Sequence, residues 1–301
     1  TDGSVDKKQA WIENLEDVVT VPNPSKKKID FVLFDPNDEV LKSVSFEKSF
    51  EMLKSQAMKA ESILDRLDAI EAMRSMSMEK KRDFLISVFS KEKFNAVKTE
   101  IISQLANNDG VKNIELLKIG LNDKDVVVRK AVLNNQKTIP VILLPDFERL
   151  LTDSSYEIIM NTLDKLYMSN PVEMPKYLAL TKGVTGNVGR NLEIKWMELS
   201  VASANDQSSL TKLVDYTSNS YEFRTRVNAM QALKKLDYFD EKLLTNLLDA
   251  IPNANTRLGD PAGEALKYFY TQDKYRKMIK DYVASHEWKP WELVAIRKIV
   301  E

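Results

Sequence analysis

From Ser45 onward, apolar residues return every three or four positions, the period of helices that bury one stripe and expose the rest. The first 44 residues follow another rule. Gln9-Ala10-Trp11-Ile12, Asp17-Val18-Val19-Thr20-Val21 and Lys28-Ile29-Asp30-Phe31-Val32-Leu33-Phe34 are short β-branched or aromatic runs, which predict three strands. Pro22-Asn23-Pro24-Ser25 and Asp35-Pro36-Asn37-Asp38 supply turns, because proline presets φ and Asx side chains bond nearby backbone. Three strands this short cannot form a sheet with both faces covered. Residues 1–44 therefore read as the remnant of a β domain and residues 45–301 as a helical domain.

Within the helical part the pattern repeats. Arg66-Leu67-Asp68-Ala69-Ile70-Glu71-Ala72-Met73 and Arg226-Val227-Asn228-Ala229-Met230-Gln231-Ala232-Leu233 share R-x-x-A-x-x-A-[ML]. Asn122-Asp123-Lys124-Asp125-Val126-Val127-Val128-Arg129 resembles the D-x-x-V-R opening of a HEAT second helix. With the apolar helices between them, the spacing is roughly 31 to 36 residues, and about seven helix pairs fit. The predicted fold is mainly α: a HEAT-like or armadillo-like α-α superhelix after a short N-terminal β segment. Ala69 and Ala229 would let helices approach closely, while Arg66, Arg129 and Arg226 would bridge successive repeats through a planar fork of donors. A non-repetitive helical bundle is the alternative. His286-Glu287-Trp288-Lys289-Pro290-Trp291 would cap the open end of such an array.

Charge narrows the partners. Lysine plus arginine number 44 and aspartate plus glutamate 45, so no basic excess is available to neutralise nucleic-acid phosphates or an anionic membrane. The run Lys26-Lys27-Lys28 has no interleaved aromatics and reads as a solvated turn. Glu79-Lys80-Lys81-Arg82-Asp83 reads as a solvated helix face. Met73, Met76 and Met78 read as core filling. No apolar run reaches the roughly 20 residues that span a bilayer. Thr1-Asp2-Gly3-Ser4 lacks the pattern of a signal peptide. The expectation is a soluble protein, whether cytoplasmic, periplasmic or secreted.

Catalytic chemistry is missing. The absence of cysteine removes disulfides, thiolate metal sites and thiol nucleophiles. A zinc-peptidase H-E-x-x-H needs two histidines one helical turn apart, and His286 is the chain's single histidine. Neither a nucleophile elbow nor a phosphate-cradling glycine loop occurs. No catalytic residue, metal ligand or cofactor is assigned to these residues.

Ile29-Asp30-Phe31-Val32-Leu33-Phe34-Asp35-Pro36-Asn37-Asp38-Glu39-Val40-Leu41-Lys42 resembles the junction at the end of the β-sandwich in gluzincin zinc aminopeptidases, the alanyl aminopeptidase family (peptidase family M one). There a D-P-x-x-x-x-L-K stretch closes the last strand and leads into a HEAT-like carboxyl-terminal domain. Phe46-Glu47-Lys48-Ser49 and the D-R-x-D-A core after Ala57 continue the likeness. The resemblance implies a non-catalytic C-terminal region of a peptidase whose zinc is bound upstream. It would shape and cover the peptide-access cavity, with its own upstream catalytic domain and peptide substrates as partners. In the leukotriene-hydrolase-like branch an arginine before the last helices receives the substrate carboxylate. Arg257, in Asn253-Ala254-Asn255-Thr256-Arg257-Leu258-Gly259-Asp260-Pro261 ahead of a helix expected from Ala262, takes that place, with Gly259 where the branch has lysine. The alternative is a free-standing scaffold for protein–protein interaction.

Overall fold

A computed structural model describes residues 4–36, 39–42, 44–108 and 110–300. Thr1, Asp2 and Gly3, Asn37 and Asp38 of the junction motif, and Glu301 lie outside the described residues. The chain is mainly α, with sixteen α-helices among the described residues. It divides into two compact units, Thr1–Lys137 and Thr138–Glu301.

The predicted strands are not found: the described residues before α1 (Phe50–Lys59) contain no strand. Trp11, Ile12 and Val18 are exposed. Their runs satisfy strand propensity, but a strand also needs a neighbouring backbone and a covered face. What structure exists here is local. Asn23 closes the proline turn by bonding both the amide and the carbonyl of Lys27, and Lys59 of α1 reaches back to pair with Asp30.

In the first unit, α1 pairs with α2 (Ile63–Glu71), α3 (Met78–Lys91) with α4 (Asn95–Leu105), and α5 (Val111–Leu121) with α6 (Val126–Asn135). Helices α2, α4 and α6 lie side by side, and α1, α3 and α5 form the second row. The helices begin where the sequence offers caps: Ser49, Ser62 and Asp125 each accept an amide of the first turn. Close approach needs small residues. Ala69 is fully buried, and a methyl on Gly120 of α5 would sit 2.7 Å from Val132 of α6.

The corners between hairpins repeat in chemistry. Glu92 accepts the amide of Phe94 before α4, and Asp123 accepts that of Asp125 before α6. The fourth residue of the preceding helix in the α2–α4–α6 row then pairs with the same carboxylate: Arg66 with Glu92 at 3.1 Å, Lys98 with Asp123 at 2.7 Å. Arg66 also donates to the carbonyls of Ala60 and Glu61, three and two residues before its own helix. Arg129 makes the same fork to Asp123 and Lys124. Lys81 departs from the expected solvated face. It is buried, and its ammonium caps the end of α2 through the carbonyls of Met73 and Arg74.

The second unit runs from α7 (Leu144–Arg149) through α8 (Tyr156–Ser169), α9 (Met174–Thr181), α10 (Asn191–Ala204), α11 (Gln207–Tyr216), α12 (Phe223–Lys235), α13 (Glu241–Ala250), α14 (Thr256–Tyr270) and α15 (Asp273–Ser285) to α16 (Pro290–Val300). Helices α8, α10, α12, α14 and α16 pack in one row, with α11, α13 and α15 behind it. Its core joins Leu213, Met230, Leu247, Leu266 and Phe269. Asp153 and Asn253 build corners like those of the first unit, accepting the amides of Ser155 and Asn255. Arg226 is buried and spans three elements, donating to the Thr217 carbonyl behind it and to Asn246 and Asp249 of α13 ahead. Ala229, one turn further on, is fully buried. Arg276, the fourth residue of α15, repeats the carbonyl fork onto Tyr270 and Thr271.

Candidate functional site

Arg257 lies in the first turn of α14, because the helix begins at Thr256 and not at Ala262. Asn255 makes the early start possible by accepting the Arg257 amide on its side chain. Pro261 therefore falls inside the helix, where it has no N–H to give the Arg257 carbonyl one turn earlier. The Arg257 guanidinium is exposed and meets no hydrogen-bond or ion-pair partner among the described residues. Gly259 is buried, and a methyl there would stand 2.9 Å from the Ile251 carbonyl oxygen. No longer side chain fits at that position.

His286 closes the end of α15, its ring stacked on Tyr282 at 3.8 Å. Nδ1 lies 2.8 Å from the Tyr282 carbonyl, so that nitrogen carries the proton. Ser285 Oγ is 3.2 Å from the same nitrogen, which then has no lone pair with which to activate the hydroxyl. Trp288 donates its indole N–H to the Val283 carbonyl and packs on the core, while Trp291 is exposed. Among the described residues, no group of three or more acidic or histidine side chains could hold a metal ion. No helix there is long and apolar enough to cross a membrane.

A groove of about 320 Å³ opens along α8, α10 and α12 of the second unit. At its base Lys195 is buried in α10, 3.0 Å from Asp164 of α8 and 2.8 Å from Glu198 one turn on. Burial works against its charge, yet the two carboxylates outweigh that penalty and hold the ammonium above its ordinary range. Lys235 of α12 approaches Glu198 more loosely, at 3.8 Å. Asn191, Asn228 and Gln231 also line it with polar groups, and Ile194 and Ala232 with apolar ones.

Val188, from the connection between α9 and α10 (residues 182–190), also lines the groove. Gly183, Gly186, Gly189 and Arg190 take positive φ there. Asn228 straps it to α12 by donating to the Val188 and Gly189 carbonyls. Gly189 lies so close to α12 that a methyl would stand 2.5 to 2.7 Å from Arg224 backbone atoms. Arg257 does not line this groove. The sequence reading missed the groove because Lys195 and Glu198, three apart, look like an ordinary surface pair. Their one telling sign is that Ile194, Trp196, Met197 and Leu199 leave α10 little polar face.

Comparisons with protein-family models, with curated proteins and with solved structures give no match for this chain.

Proposed function

We propose that this chain is the non-catalytic carboxyl-terminal region of a zinc aminopeptidase of the alanyl aminopeptidase family. In this reading residues 1–44 are the end of a β-sandwich that is completed upstream. Residues 45–301 are a HEAT-like α-α superhelix that covers the peptide-access cavity and narrows it to short, flexible chains.

The observation that carries the reading is the junction. Asp35 and Lys42 bound the D-P-x-x-x-x-L-K motif and close it on each other, 2.6 Å apart, directly ahead of the helices. The amides of Glu39 and Val40 turn in to the same carboxylate. The exposed apolar runs before it suit a segment that is covered by other strands. The recurring corners, in which a Glu, Asp or Asn side chain accepts the amide two residues on, support a repeat array over an irregular bundle.

On this reading the zinc and its H-E-x-x-H belong to the upstream domain, and these residues neither bind metal nor cleave peptides. Arg257 is the candidate for meeting a substrate carboxylate, since its guanidinium stands free at the start of α14. The reading is tested by the coding sequence upstream of Thr1. An in-frame H-E-x-x-H followed by a downstream glutamate is the expected result. An upstream frame without that motif overturns the reading and leaves a scaffold for protein partners.

A further inference from the structure

The chain holds two Asp–Pro bonds, Asp35–Pro36 and Asp260–Pro261, and the fold sets them in opposite surroundings. Such a bond lies within reach of its own side chain. An aspartate carboxylate can close a five-membered ring on its main-chain carbonyl carbon without any encounter between separate groups. The proline nitrogen carries no hydrogen and is bonded to carbon on every side. It therefore takes up a proton more readily than an ordinary amide and leaves as an amine. Asp260–Pro261 lies inside α14, where the helix fixes the backbone of both residues. Asp35–Pro36 lies ahead of the first helix, and Pro36 is open to water.

The backbone at Asp35 is also strained. Its φ is +51°, whereas a following proline favours an extended residue with negative φ. Breaking the bond releases that strain. The groups that face the Asp35 carboxylate are Lys42 Nζ at 2.6 Å and the amides of Val40 at 3.0 Å and Glu39 at 3.3 Å. All three favour the ionised form, so the attacking anion persists into acid, where protons reach the proline nitrogen. We propose that Asp35–Pro36 is an acid-triggered self-cleavage site, at which the chain frees its helices from residues 1–35. A carboxylate oxygen of Asp35 bonds to the Asp35 carbonyl carbon, the C–N bond to Pro36 breaks, and the nitrogen takes its proton from solvent. Water then opens the cyclic anhydride, leaving Asp35 with a free carboxyl end and Pro36 with a free amino end. The Asp30–Lys59 pair, which bridges the two pieces, is exposed and holds weakly.

The test keeps the purified chain at the lowest pH at which circular dichroism still shows its full helix content, and follows intact mass over several days. Two fragments are expected, one ending at Asp35 and one beginning at Pro36, with masses that sum to the chain plus one water. Asp35–Pro36 should break at least about tenfold faster than Asp260–Pro261, and the two rates should converge in urea. At neutral pH the cut should be slower by about tenfold or more. Asp35→Asn should abolish it. No cut at Asp35–Pro36, equal cutting of both bonds with the helices intact, or a rate that does not change with pH overturns the assignment. Cleavage does not depend on what lies upstream: its failure leaves the aminopeptidase reading standing, and an upstream frame without the zinc motif leaves this site standing.

Discussion

Asp35 and Lys42 stand seven residues apart in the chain and 2.6 Å apart in space. Lys42 first, and then the Val40 amide, hold the Asp35 carboxyl below its ordinary range. A carboxylate shifted in this direction adds stability above its unfolded pKa and loses it as pH falls through the folded one. Acid titration followed at the Val40 amide should therefore show an inflection below 3.8. Lys42→Ala should move it up toward that value. An unchanged inflection would show that the pair does not form in solution.

Arg226→Ala should cost about 2 to 3 kcal/mol in urea unfolding, because it strands the buried Thr217 carbonyl and frees Asp249. Arg226→Lys should recover little, since one ammonium cannot reach Thr217, Asn246 and Asp249 together as the planar fork does. Full recovery by lysine would reduce the role to charge alone.

Two glycines of the α9–α10 connection separate space from backbone strain. Gly183 has φ +83 with nothing near its missing side chain, so Gly183→Ala should cost about 1 kcal/mol. Gly189 has φ +53 and lies against the Arg224 backbone. Gly189→Ala should cost about 3 kcal/mol, strain and overlap together, and shift the Asn228 side-chain signals. Equal losses in thermal unfolding would place the strap away from α12.

Lys195 makes a test of buried charge. Lys195→Met should destabilise the chain by about 3 kcal/mol at neutral pH, by leaving Glu198 buried without its closest cation. Lys195→Met with Glu198→Gln should recover most of that loss. The lysine is shifted above its ordinary 10.5, so its contribution is whole below that value. It disappears as pH rises through the higher folded pKa. Wild-type stability should accordingly fall more steeply than that of Lys195→Met in strongly alkaline urea titrations.

On the aminopeptidase reading, Arg257→Ala in a chain extended to include the proposed upstream zinc domain should raise KM for short free-acid peptides. Amide-capped peptides should be affected much less. Equal effects on both would take Arg257 out of substrate binding.

The helices were legible because their stripes recur at helical spacing. Even the opening Asp125-Val126-Val127-Val128-Arg129 starts a helix where the sequence pattern placed it. The strand expectation failed for a reason outside the local sequence: propensity at Asp17–Val21 and Lys28–Phe34 is real, but pairing is not local. The helix expected from Ala262 begins six residues earlier, at Thr256. The Asn255 cap starts it there, and Pro261 is carried inside the helix. Lys195 was hidden by its own type. A lysine's burial depends on which helices flank it, here α8 and α12, and no spacing within α10 states that. Arg276 repeats the corner fork without the alanine pattern that drew attention to Arg66 and Arg226.

The corners of the first unit tie each hairpin only to the next, Arg66 to Glu92 and then Lys98 to Asp123. On the repeat-array reading proposed above, such hairpins behave as a one-dimensional chain of coupled links and not as a single all-or-none body. On that reading its free energy of opening should be graded, lower at α1, which packs on α2 and α3, than at α4, which packs on α2, α3, α5 and α6. Amide exchange should fray from that end inward, so the segment that meets the junction is also the one that yields first. If that grading holds, α1 is the compliant link between the chain before it and the helices beyond.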